Sequence, residues 1–198
     1  RSKNNLTIKR SNVSKSGVLE YMENISVDLS TRGTSNCYIV SEPGFYSFDA
    51  TVIGNGAEGI IPNAGFHTHT PTIAPSTAEI LWQDYTTIVT DVNLTPEGRV
   101  TFAATGSEGN ALISVKDTSG TILWSWHIWS TDEPVDHKYI NHYGQKITVQ
   151  DRNLGAISAV RGTGDEWRES VGLHYQWGRK DPFSVHVSHT RNDDDVTL

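Results

Sequence analysis

From Asn36 onward, short runs of alternating apolar and polar residues are punctuated by Gly, Pro, Asn, Asp and Ser. This is the period-2 pattern of half-buried strands joined by turns. "NCYIV" leads into the turn "SEPG". "FYSFDATVIG" then sets Phe45, Ser47, Asp49 and Thr51 on one face and Tyr46, Phe48, Ala50 and Val52 on the other. "AEILWQD", "TTIVTDVNLT" and "RVTFAAT" read as three further strands. "NALISVK" and "TILWSWHIW" flank the connection "DTSG", whose terminal Gly120 suits a left-handed turn residue. A loop over 117–120 pairs Val115 with Ile122, Ile113 with Trp124 and Ala111 with Trp126, so these side chains share one face. A bulge after Gly120 would shift that phase. The opposite face, with Leu112, Ser114, Leu123, Ser125 and His127, reads as amphipathic. Trp129 near its end is a candidate for exposed stacking, with a buried or loop-covering role as the other reading.

The remaining segments are less regular. Residues 1–34 read as a Ser/Asn/Lys-rich arm with "ISVDLS" as a possible first strand and "VLEYME" as a possible helical turn. Residues 54–75 read as a loop or short edge strands. Residues 35–131 form the expected sandwich core. Residues 132–198 form a second β-rich segment, either a truncated module or a continuation of the sandwich, with one possible helical turn and a strand at "VHVSH". The fold class is all-β: an antiparallel β-sandwich of one or two modules, with long loops and little helix.

Composition narrows the function classes. The net charge of −7 over 198 residues argues against non-specific nucleic-acid binding, which needs clustered Lys and Arg. Cys37 is the one cysteine, so no intrachain disulfide forms, and it reads as a small buried side chain. The chain starts at Arg1 and shows no signal-peptide core or spanning segment, as expected of a mature or excised piece of a longer protein.

Three motifs, "SNCYIVSEPGFYSF", "GNALISVKDTSGTILWSWHIWSTD" and "VQDRNLGAISA…GLHYQWGRKDPF", resemble in this order a domain of fimbrillin-family surface lipoproteins of Bacteroides-type bacteria. The third is also similar to the opening of major-paralogous (FISUMP-like) domains. The resemblance covers Ser35 to Phe183. It implies export to the cell surface, outer membrane or a fimbrium, and β-rich modules acting in adhesion or pilus assembly. It implies fimbrial or other surface subunits as partners and does not imply an enzyme. Two departures stand out: relatives continue well past "QWGRKDPF", and the lipidated cysteine of an exported lipoprotein is not present. Membrane attachment would then come only through an anchor this chain does not carry.

Candidate chemistry is sparse. Six tryptophans and the Gly/Thr-rich 54–75 loop keep open a carbohydrate-binding module for host or dietary glycans, with Trp129, Tyr143 and Trp167 as candidate ligand-binding residues. His67 and His69 in "HTHTP" would project to one side of an extended segment, as a two-histidine chelate requires. A metal-dependent hydrolase built on them needs a third ligand, for which the candidates are His127, His137, His142 or an acidic residue. No cofactor is otherwise indicated. Asp151-Arg152-Asn153 and Arg179-Lys180-Asp181 are expected to form corner networks of carboxylate and cation, with Tyr175 and Trp177 packed inward.

Overall fold

A computed structural model of the chain describes residues 26–56, 71–84, 87–160, 167–177 and 179–183. The strands follow the alternation. They are β1 (Val27–Asp28), β2 (Cys37–Val40), β3 (Gly44–Asp49), β4 (Thr77–Gln83), β5 (Val89–Leu94), β6 (Arg99–Ala104), β7 (Gly109–Lys116), β8 (Ile122–Ser130), β9 (Asp136–Ile140) and β10 (Lys146–Gln150). One short helix, α1 (Trp167–Val171), follows. The protein is mostly β.

Two four-stranded sheets, ordered β1-β3-β6-β5 and β2-β8-β7-β4, make a sandwich. Each is mixed rather than purely antiparallel: β1 runs parallel to β3, and β2 parallel to β8. The arm's expected strand is therefore the edge of the first sheet. The inward faces follow the sequence alternation. Tyr46, Phe48 and Ala50, beside Phe102 and Val100 of the same sheet, share one buried cluster with Ala111, Ile113, Val115, Trp126 and Ile128 of the other. Phe48 sits at its centre, with its ring 5.1 Å from those of both Tyr38 and Trp126. Burying each such ring contributes about 1.5–3 kcal/mol.

The β7–β8 hairpin departs from the expected register by two residues. Lys116 pairs with Ile122, a bulge absorbs Leu123, and Val115, Ile113 and Ala111 then face Trp124, Trp126 and Ile128. Asp117 stabilises the wider loop: its carboxylate accepts from the main chain of Ser119 and Thr121 and from the Ser119 hydroxyl. A shift of two preserves the faces, so Trp124 and Trp126 still point into the sandwich.

The second face of this sheet is not solvated, which corrects the amphipathic reading. Described residues of 151–160, 167–177 and 179–183 lie over it. Trp82, Leu112 and Leu173 form a separate small core there, and Ala156 is buried. Gly155 permits the close approach: at φ 84°, a Cβ on it would stand 2.5 Å from the Leu173 side chain.

β9 and β10 stand apart. They pair only with each other among the described residues, as an antiparallel ribbon outside both sandwich sheets. No described helix is long and apolar enough to cross a membrane.

Candidate binding groove and ribbon

The ribbon's base is clamped to the sandwich. Arg152 follows β10 with its guanidinium almost fully covered, pairing with Asp151 at 2.9 Å and with Asp132 before β9. It also donates to the Thr131 hydroxyl, and the Asp151 amide donates to the Val135 carbonyl at 2.9 Å. The guanidinium holds the Asp132 and Asp151 carboxyls below the usual range, chiefly through hydrogen bonds to them. The expected Asp151–Arg152 corner network is present, with Asp132 as a further partner.

Beyond the clamp the ribbon is exposed. Alternation places Val135, His137, Tyr139, Ile147 and Val149 on one face, and Asp136, Lys138, Ile140, Lys146, Thr148 and Gln150 on the other. Val135, Tyr139, Ile140 and Val149 are each about half or more exposed. A two-stranded ribbon with uncovered apolar residues is marginal alone and presents free edges for pairing.

An open groove of about 850 Å³ lies beside the ribbon's base, between β10 and α1. Val149, Leu154, Val171 and the half-exposed Trp167 supply apolar surface, while Gln150, Asn153, Ser158 and Ser170 supply polar groups. Asn153 ties the groove's two sides together by donating to the Ser170 and Val171 carbonyls.

The candidate residues fall in different places. Trp167 lines the groove. Tyr143 is 77% exposed, but it sits in the turn at the ribbon's far tip and does not line the groove. Trp129 is corrected as an exposed candidate: it is fully buried, and its indole donates to the Ala156 carbonyl at 3.2 Å. Trp82 is also buried. Tyr175 and Trp177 are corrected in the opposite sense, being 51% and 92% exposed rather than packed inward. His67 and His69, like "VLEYME", "VHVSH" and the terminal Asp193–Asp195 run, lie outside the described residues. Among the described residues no three His, Cys, Asp or Glu side chains gather as metal ligands.

A polar chain under the "DRNLGA" segment was not legible in the sequence. Asp84 accepts from the Asn110 amide at 2.7 Å and from its side-chain nitrogen at 2.9 Å. Asn110 also donates to the Gly155 carbonyl at 3.0 Å, and its oxygen lies 2.8 Å from His127 Nε2. Because that oxygen only accepts, Nε2 carries the proton, and Nδ1 is left to accept from the Cys37 thiol 3.2 Å away. Thiol, imidazole and amide thus stand in the order of a nucleophile, base and orienting group. Burial pushes the Cys37 thiol up to about 12 and, with the Lys180 charge, the His127 imidazole down to about 3. Both are neutral at ordinary pH, which suits a structural tie. Strand pairing of β2 with β8 creates the contact across 90 residues of sequence, which local spacing does not reveal.

The second corner network is also formed. Lys180 pairs with Asp181 at 2.6 Å, donates to the Ser125 carbonyl at 2.8 Å and lies 4.7 Å from the centre of the Trp124 ring. Ser125 donates to Asp181. Comparison with protein-family models, with curated proteins and with solved structures finds no match for this chain.

Proposed function

We propose that this chain is a non-enzymatic cell-surface module of adhesion or fimbrial assembly, exported and engaging another protein subunit through the β9–β10 ribbon and its groove. The carrying observation is the ribbon: two strands with exposed Val135, Tyr139 and Val149 and edges unpaired among the described residues, held on the hydrogen-bonded Arg152 clamp. Rigid placement of a partner-hungry sheet edge suits recognition by strand addition. The three-motif resemblance to fimbrillin-family surface proteins supports the same reading. The neutral state of half-buried Cys37 and buried His127 supports a structural role for the arrangement most like a catalytic one.

The test is display of the chain on otherwise non-adherent cells. Attachment to cells or surfaces is expected, with Val149→Asp and Tyr139→Asp abolishing it and leaving the thermal midpoint within a few degrees. Absent attachment, or attachment indifferent to both substitutions, overturns the reading.

One observation favours a second reading, a carbohydrate-binding module: Trp167 stands half-exposed in the groove beside Gln150 and Asn153. An aromatic face flanked by amides suits a sugar ring. Selective binding on a glycan array, lost in Trp167→Ala, would establish it, and a clean negative from the folded protein would remove it.

A further inference from the structure

The ribbon's hydrogen-bond phase shows which of its groups are unused. The Asp151 amide donates to the Val135 carbonyl, and the Asn141 amide donates to the Gln145 carbonyl at 3.0 Å. Bonded pairs alternate along an antiparallel ladder, so odd-numbered residues of β10 bond inward to β9. Lys146, Thr148 and Gln150 therefore direct their main-chain N–H and C=O outward. The groove borders this edge: Thr148, Val149 and Gln150 all line it. Consecutive residues point to opposite faces, so their joint lining means that the groove meets the strand edge-on.

From this phase and the sequence of β10 we infer that a second copy of the chain occupies that edge, its β10 pairing antiparallel with this one about a two-fold axis at Thr148. This rests on the reading of the ribbon as the recognition surface and names the partner. Centring on Thr148 is the symmetric register that pairs all five residues of the strand. It opposes Thr148 with Thr148 of the copy, Lys146 with Gln150, and Ile147 with Val149. Each outward pair exchanges two N–H···O bonds. Ile147 and Val149 lie on one face, so each packs on its counterpart twice over, and a Thr–Thr pair is among the favoured cross-strand neighbours. No like charges are opposed.

The outer edge of β9 lacks this self-complementarity. Its outward residues are Asp136, Lys138 and Ile140, and the equivalent centring would set Lys138 directly against Lys138. The two edges of one ribbon therefore differ: β10 accepts a copy of itself, and β9 disfavours one. An isologous contact of this kind closes at two chains and needs no further subunit.

The test uses the whole chain. A residue on the two-fold meets its own copy within disulfide reach. Thr148→Cys is expected to form a disulfide-linked dimer on mild oxidation, while Lys138→Cys, at the centre of β9, stays monomeric. Sedimentation equilibrium is expected to show a concentration-dependent dimer of the unsubstituted protein. Thr148→Pro removes an outward N–H without breaking the inner ladder, and is expected to weaken that dimer at least about tenfold. Monomer at every soluble concentration, or crosslinking of Thr148→Cys no faster than Lys138→Cys, overturns the pairing. If that occurs while Val149→Asp still abolishes cell attachment, the ribbon remains the recognition surface and only its occupant is wrong. If attachment is also indifferent, both readings fall.

Discussion

Replacing Asn110 with alanine removes the side chain that joins the outer face of the sandwich to the segment lying over it. Asn110 is 3% exposed. Truncation leaves the Gly155 carbonyl and the His127 Nε2–H without their protein partner in a site closed to water, while Asp84 keeps the Asn110 main-chain amide. Each orphaned group costs about 1–3 kcal/mol, and the cavity adds to it, so the loss is about 3–5 kcal/mol. That is a large fraction of the 5–15 kcal/mol typical of a whole domain. Urea unfolding should show a lower midpoint, and hydrogen exchange should quicken at the Ala156 and Leu173 amides, which bond the Asn153 and Leu154 carbonyls. Asn153→Ala, at an exposed position, should cost under about 1 kcal/mol. A similarly small loss for Asn110→Ala, with unchanged exchange at Ala156 and Leu173, would refute the claim that this residue ties the layers together.

Three further outcomes follow from the same region. His127 is neutral in the folded chain, with its ordinary value of 6.5 depressed to about 3, so unfolding takes up a proton in acid. Its stability contribution is complete above pH 6.5 and is lost as pH falls toward 3, by up to about 1.4 kcal/mol per unit; urea midpoints between pH 7 and 5 should show this slope, and His127→Gln should flatten it. Cys37, pushed up to about 12, should react with iodoacetamide at pH 8 on the order of a thousandfold more slowly in the folded than in the denatured chain; a native rate near that of a free thiol would contradict the neutral, half-buried thiol paired with His127. Gly155→Ala forces a Cβ toward Leu173 at positive φ, and should lower stability by about 1–3 kcal/mol in the same urea assay.

The inner layer was legible because strand alternation reports a face directly. Tyr46, Phe48, Ala111, Ile113 and Trp126 lie where the pattern places them, and even a two-residue slip in the β7–β8 register left their faces unchanged. The outer face misled because Ser114, Ser125 and His127 carry the composition of a solvated surface. What covers them is a mostly polar segment downstream, anchored by Gly155, Leu173 and the Lys180–Asp181 pair. Of the two readings of Trp129, the buried one holds and exposed stacking falls for the same reason. Tyr175 and Trp177 failed in reverse: aromatic residues in a strand-like run suggest a core, but no described neighbour covers them. The Asp84–Asn110–His127–Cys37 chain joins four strands, so local spacing carried no trace of it. Of the candidate ligand residues, Trp167 lies in the groove because α1 sets it opposite β10.

The measurement that tests the ribbon most directly is residue-resolved amide exchange across β10, in dilute protein and again with the recognition partner bound. In dilute protein, Ile147 and Val149 are predicted to be slowed by β9 while Lys146, Thr148 and Gln150 exchange freely; on binding, those three are predicted to become protected together. Protection of Thr148 already in the dilute chain, or no gain at these three amides on binding, would contradict the account.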